Sequence, residues 1–240
     1  MDWFAKWFNT PYYHILYKNR NEEEAQEFII NLIKYLSLPI DSKILDLACG
    51  KGRHSIFLNK LGYNVTGVDL ATKSIEEAKI QENEKLHFFV GDMRETNFPN
   101  EFNAILNLFT SFGYFSDDAD NLKVYQSVYE QLKPQGIFVM DFMNASLAET
   151  NLVEKEDKEV DGILFHLQRK TENDFIIKDI HFSDNGEDFH FQERVKAFKL
   201  DYFENLAKIV GFKLKRVFGD YQLNEFDSKR SPRLILIFEK

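Results

Sequence analysis

"ILDLACGKGRHS", residues 44–55, is an apolar run that ends abruptly in a small-residue loop, with Asp46 inside the run and Gly50 and Gly52 in the loop. A strand, a glycine loop and a helix in that order suit a doubly wound parallel sheet, in which ligands sit at the carboxyl ends of strands where the strand order reverses. Gly50 and Gly52 let the main chain approach a ligand with no Cβ in the way. Asp46 is expected just beneath the loop, where a carboxylate can hold loop amides or, through water, a ligand ammonium. A tight strand–helix turn with no ligand would use the same glycines, so other positions must decide.

Working outward, strands and helices alternate. "NVTGVD", "LHFFVGD", "FNAILNLF" and "GIFVMDF" read as four further strands. Between them lie a short amphipathic helix "RHSIFLNKLG" ended by Gly62, and a helix "SIEEAKIQ" opened by a Ser74/Glu77 capping box. A third, "NLKVYQSVYEQL", is stopped by Pro134. Upstream, Asn21 and Glu24 form a second capping box, and Ala25, Phe28, Ile29, Leu32 and Leu36 recur at helical spacing until Pro39. Apolar strands alternating with helices predict an α/β fold with a mostly parallel sheet covered on both faces.

The rhythm changes near residue 150. "GILFHLQRKTENDFIIKDIHFSDNGEDFHFQERVKAF" alternates apolar and polar residues around a turn at Asp184–Gly186. That predicts an antiparallel meander of about three strands, an insertion over 150–196 packed on the core. The helix "LDYFENLAKIV", capped by Gly211, then leads to two strands, "FKLKRVFGD" and "PRLILIFEK". With no helix between them, these two must pair antiparallel or sit apart. We expect a single domain over 1–240, with an aromatic N-terminal segment and helix over 1–38.

Composition narrows the function. With 240 residues, 44% hydrophobic and 15% aromatic, the chain can bury a substantial core. Its formal charge of -9 argues against affinity built on neutralising phosphates. One cysteine, Cys49, allows no intramolecular disulfide and weakly indicates a reducing compartment. The N-terminal stretch lacks a basic start and a continuous apolar core, so it does not read as a signal peptide. No apolar run approaches the ~20 residues of a membrane span. A soluble, cytoplasmic protein is expected.

Two further carboxylates stand at strand ends. Asp69 closes the second strand, where an acidic side chain reaches a ribose diol. Asp92 closes the third, where it can accept from an adenine amino group while the Met93 amide donates to the ring. Adenosine is shared by NAD and S-adenosylmethionine. A dinucleotide fingerprint would place glycine where Ser55 stands, and pyrophosphate gives no reason for Asp46. S-adenosylmethionine has an ammonium and no phosphate, which suits the acidic loop.

Taken together, the sequence resembles the class I S-adenosylmethionine-dependent methyltransferases. "ILDLACGKGRHS", "VTGVDLA", "FFVGDMRE", "FNAILNLFTSFGYF" and "LKPQGIFVMDF" are similar to their five motifs in order. The resemblance covers residues 40–145 and 199–240, and is nearest to a bacterial small-molecule-type subgroup with an aromatic N-terminus and a β insertion. It implies a Rossmann-like seven-stranded sheet with an antiparallel last strand. It also implies that the cofactor's methionine moiety lies along residues 48–52, from Ala48 through Gly50 to Gly52, with the ribose on Asp69. Adenine would lie between Leu70 and Met93, and the backbone around Asn107 near the sulfonium. Tyr17 and Arg20 would reach the cofactor's carboxylate end. The fourth motif departs from the Asn/Asp-Pro-Pro-Tyr type, which disfavours methylation of exocyclic base nitrogens.

Methyl transfer is an in-line displacement that needs mainly proximity and orientation, so a general base is optional. Tyr114, beyond the fourth strand, is the best single catalytic candidate. Asp141 and Asn144 could line the acceptor pocket. His54 reads as a surface residue at a helix start, and His166, His181 and His190 as sheet residues. No cluster has metal-ligand spacing, so no metal is expected. The leading expectation is transfer to a small molecule, leaving S-adenosylhomocysteine, by a monomer or homodimer. An RNA (tRNA) or protein methyltransferase on the same core, and a non-catalytic S-adenosylmethionine-binding protein, remain alternatives. The 1–38 segment is expected to act as a lid and the β insertion as a substrate cap.

Overall fold

In the computed structural model, residues 3–18, 22–95 and 98–240 are described. The decisive stretch forms strand β1 (Lys43–Leu47), buried at four of its five positions, followed by helix α4 (Arg53–Lys60). A strand buried on both faces belongs in the middle of a sheet. It pairs in parallel with β2 (Asn64–Asp69) on one side and β4 (Phe102–Asn107) on the other. Beyond these lie β3 (Leu86–Val90), β5 (Leu132–Met143), β10 (Lys213–Phe218) and β11 (Arg233–Glu239), in the order β10-β11-β5-β4-β1-β2-β3. The chain runs outward from β1 through β2 to β3, then crosses to β4, so the order reverses between β1 and β4. The last strand, β11, is antiparallel to both β5 and β10. Ile44 faces one apolar layer and Leu45 and Leu47 the other, the alternation a doubly covered sheet requires.

Helices α3 (Glu22–Leu36), α5 (Thr72–Ala78), α6 (Asp118–Gln131) and α8 (Leu200–Val210) cover the two faces. Helix α5 begins two residues before the expected Ser74 cap, and Ser74 is buried inside it. The reason lies in Asp69, whose Oδ1 accepts the Ala71 N–H at 2.8 Å and fixes the turn into the helix from the strand end. Strand β5 starts at Leu132, directly after α6, and Pro134 sits where the register with β4 shifts between the Phe102–Leu132 and Ala104–Ile137 pairs. A residue without an N–H fits such an irregular stretch. Asn21, one half of the expected N-terminal capping box, lies outside the described residues.

A short helix, α7 (Ala145–Thr150), leads into a separate antiparallel sheet of four strands, not three. These are β6 (Lys155–Val160), β7 (Ile163–Glu172), β8 (Phe175–Asp184) and β9 (Glu187–Lys196). The added strand, "KEDKEV", is a charged edge strand with Val160 as its only buried residue, so it carries no alternating signal. One face of this sheet packs against the N-terminal helices α1 (Trp3–Trp7) and α2 (Pro11–Leu16). Trp7 and Leu16 join Phe165, Leu167, Ile180 and Phe182 in a third apolar core.

Candidate active site

A cavity of about 260 Å³ opens at the carboxyl ends of β1, β2, β3 and β4, beneath α1 and α2. Its floor is the loop after β1. Ala48 and Cys49 donate their N–H groups to the Val68 carbonyl at 2.8 and 3.0 Å, which bends the chain across the end of β2. Ala48, Gly50 and Gly52 all have positive φ. The two glycines are needed for different reasons. A Cβ on Gly50 would meet nothing within 4 Å, and Gly50 lines the cavity; a Cβ on Gly52 would meet the Phe88 ring at 2.5 Å, and Gly52 does not line it. Gly50 leaves a cradle for a ligand, whereas Gly52 permits close packing of the loop on β3.

Asp46 answers the question its place in β1 raises. It is 2% exposed, and Oδ2 accepts the Ser55 hydroxyl at 2.6 Å. Burial pushes its carboxyl up to about 6; the Ser55 hydrogen bond opposes that, and the charge of Asp69 adds to it. The carboxylate thus ties the first turn of α4 to β1. Asp69 Oδ2 accepts the Gly50 N–H at 2.7 Å while Oδ1 takes that of Ala71. Burial raises this carboxyl too, against the backbone donors of Ala71 and Gly50. Each oxygen keeps a further lone pair for a ligand hydroxyl.

At the end of β3, Asp92 and Met93 line the cavity, and Leu70 lines it from β2 with 37% exposure, high for an apolar side chain. The Asp92 carboxylate is engaged by Arg94, Oδ2 with Nη2 at 2.6 Å and Oδ1 with Nε at 3.0 Å. Burial would raise it, but the Arg94 hydrogen bonds and charge hold it below the usual range. Arg94 in turn pairs with Asp120 and lies over the Phe115 ring.

The Asn107 side chain is fully buried and does not line the cavity; its Nδ2 donates to the Leu47 carbonyl at 3.0 Å. The main chain around it is the part expected near the sulfonium, and the residues that follow, Leu108, Phe109 and Ser111, line the cavity. Asp141 and Asn144 do not line it either. Asp141 holds Arg233 and the Phe109 N–H, and Asn144 donates to the Ser228 and Ser231 carbonyls. Tyr114 does line it, with its ring against Trp3, Phe4 and Phe8 and its hydroxyl donating to the Thr110 carbonyl at 2.6 Å.

Tyr17 borders the cavity, but its hydroxyl turns to the second sheet, 2.7 Å from both carboxylate oxygens of Glu193. Trp7 Nε1 donates to the same carboxylate at 2.8 Å, and Lys178 binds both Tyr17 and Glu193. Arg20 lies outside the described residues. Two histidines that sequence reasoning did not assign to the site also line the cavity. His54 stacks on Phe109 at 4.5 Å and accepts from Arg53 Nε, and His14 lies 3.4 Å from Ser74 Oγ. The place of His54 directly after the glycine loop was a usable signal; His14 carried none. Among the described residues there is no group of three metal-ligating side chains and no helix long and apolar enough to cross a membrane.

The donor set fits S-adenosylmethionine. The open cradle at Gly50, the spare acceptor sites of Asp69 and the apolar Leu70 and Met93 side chains on the same cavity suit an amino-acid tail, a ribose and a purine. Comparison with known proteins agrees. Residues 44–136 match a family model described as a methyltransferase domain. The chain is 32% identical over 214 residues to YqeM of Bacillus subtilis (strain 168), whose name says methyltransferase and nothing of a substrate; the match covers 85% of this chain and 86% of YqeM. It is 29% identical over 132 residues to the dTDP-3-amino-3,4,6-trideoxy-alpha-D-glucopyranose N,N-dimethyltransferase of Streptomyces venezuelae, covering 54% of each. Among solved structures it superposes on an S-adenosylmethionine-dependent methyltransferase from Clostridium acetobutylicum ATCC 824 with a TM-score of 0.79, at 21% identity over 95% of both chains. The protein therefore belongs to the class I S-adenosylmethionine-dependent methyltransferases.

Proposed function

We propose that this enzyme methylates a small-molecule acceptor, at an amino group, within the cavity roofed by α1 and α2. The observation that carries the reading is the roof itself. Trp7 and Tyr17 are bound through Glu193 to the β6–β9 sheet, while Trp3, Phe4 and Phe8 lie against Tyr114. A concave cavity with aromatic side chains under its roof suits a small solute better than a folded RNA or a protein surface. An amine is favoured because the Streptomyces venezuelae relative is named for an amino sugar.

When bound, S-adenosylmethionine supplies a methyl group on a positively charged sulfur, which leaves without acid assistance as S-adenosylhomocysteine. In this reading the chain's residues bind, orient and exclude water. Gly50 and Ala48 receive the methionine part, Asp69 accepts from the ribose hydroxyls, and Leu70 and Met93 hold the purine. Tyr114 and Phe109 wall the acceptor side. The N-terminal helices are the lid and the β6–β9 sheet the cap that selects the acceptor. Water exclusion and alignment at attack distance are what such a displacement needs.

Incubation with tritiated S-adenosylmethionine and a fractionated bacterial cell extract tests this. Label should appear in the small-molecule fraction, on nitrogen. Label confined to RNA or protein would overturn the reading.

A further inference from the structure

Phe109, in the cavity wall, and Thr110, the residue behind it in the chain, have φ of 58° and 61°. The left-handed region is uncommon for any side chain and an outlier for a β-branched one such as Thr. Conformations of this kind persist only where the surroundings over-determine them, and they gather at functional sites. The source of that constraint is visible. Asp141, fully buried at the end of β5, accepts the Phe109 N–H on Oδ2 at 2.7 Å, and its own carbonyl accepts the Thr110 N–H at 3.0 Å. Arg233, on the antiparallel strand β11, donates from Nε to Asp141 Oδ1 at 2.8 Å and from Nη2 to Thr110 Oγ1 at 3.0 Å. Tyr114 closes the loop from the far side by donating to the Thr110 carbonyl at 2.6 Å.

The pair, Asp141 fully buried and Arg233 partly so, therefore reaches the cavity without lining it. Phe109 is the face on which His54 stacks, and Tyr114 is the wall beneath the lid. We propose that Asp141 and Arg233 are positioning residues for methyl transfer: together they hold Phe109 and Thr110 in the conformation that sets the acceptor-side wall. A carboxylate carried on an ordinary parallel strand and a guanidinium carried on the reversed strand meet at this one loop. The proposal rests on the reading that Phe109 and Tyr114 wall the acceptor side. It does not depend on which acceptor is used.

The intact enzyme is tested with Asp141→Asn, Arg233→Met, Arg233→Lys and the milder Thr110→Val, which removes only the bond from Arg233. Two quantities are compared with wild type: total tritium moved from S-adenosylmethionine into unfractionated cell extract, and the calorimetric affinity for S-adenosylhomocysteine. Asp141→Asn and Arg233→Met should slow transfer by about 10- to 100-fold, the cost of small misplacements of reacting groups. Affinity for S-adenosylhomocysteine should stay within about threefold, because the cofactor side is held by other elements. Arg233→Lys should recover part of the rate, and Thr110→Val should show a smaller loss of the same kind. Hydrogen exchange at the Phe109 and Thr110 amides should quicken in step with the lost rate.

Equal losses of rate and cofactor affinity, or unchanged exchange at those amides with a slowed rate, would overturn the proposal. If Asp141→Asn does not fold, Thr110→Val decides it: wild-type rate and exchange in that variant would count against the pair. Should wild type label no fraction at all, the functional reading above fails. The pair is then judged on exchange alone, and unchanged protection in Arg233→Met would reject it.

Discussion

Ser55 Oγ donates to Asp46 Oδ2 across 2.6 Å, joining the start of α4 to the middle of β1. That one bond explains both a carboxylate in a buried strand and a serine where a dinucleotide fold would carry its third glycine. It also has a measurable pH signature. Burial lifts the folded-state carboxyl from 3.8 to about 6. Between those values the folded chain holds a proton the unfolded chain has released, so stability contributed at this position falls as pH rises from about 4 to 6.

The same shift predicts a pH-dependent effect of Asp46→Asn. Relative to the variant, wild type should be more stable at pH 4 than at pH 7, by on the order of 2–3 kcal/mol. Urea unfolding of both proteins across that range measures it. A difference that does not change with pH would show that Asp46 is not buried as described.

The two glycines of the loop should separate folding from binding. Gly52→Ala places a methyl 2.5 Å from Phe88 at a φ of 77°. It should destabilise the fold by about 2–4 kcal/mol, a clash added to backbone strain. Gly50→Ala, with open space ahead of it, should cost only about 1–2 kcal/mol of stability from its φ, yet weaken cofactor binding. Paired melting and titration measurements check this; identical profiles for the two variants would refute the distinction.

How much of this was legible beforehand follows from where the information lies. Asp46, Asp69 and the glycines are read from a strand end and the loop after it, where local chemistry and fold topology agree. Two strands with no helix between them must pair antiparallel or sit apart, and the family resemblance selects the first by implying an antiparallel last strand. The contacts that roof the site could not be read in this way. Trp7 meets Glu193 across 186 positions of sequence, and nothing local marks either as the other's partner. Asp141 looked like a pocket residue because it ends a strand, but β11 brings Arg233 onto it and turns it toward the loop. The strand β6 escaped because its exposed charges leave no alternation to see.

Breaking the roof should uncouple binding from turnover. Glu193→Ala leaves Trp7, Tyr17 and Lys178 without their shared carboxylate, a loss of about 1–3 kcal/mol for hydrogen bonds to a charged group. Residues 3–18 should become more sensitive to protease and tryptophan fluorescence should change, since both tryptophans lie there. Methyl transfer should fall more than affinity for S-adenosylhomocysteine. Unchanged protease sensitivity would show the segment to be packing alone.

Displacement at a sulfonium needs no Lewis acid, so methyl transfer should survive chelation. Activity in excess EDTA should match that in buffer. Loss on chelation followed by recovery with Mg²⁺ would contradict the mechanism.

Calorimetric titration of S-adenosylmethionine into wild type and Asp69→Ala tests the central claim, that the cavity at the strand ends is the methyl-donor site. Wild type should bind one equivalent with micromolar strength and show no heat with NAD. Asp69→Ala should weaken binding by roughly 1.5–3 kcal/mol, the loss of hydrogen bonds to a charged acceptor, because the same carboxylate holds the Gly50 amide and, in the proposed pose, accepts from the ribose. Unchanged affinity in Asp69→Ala, or saturable binding of NAD, would contradict the account.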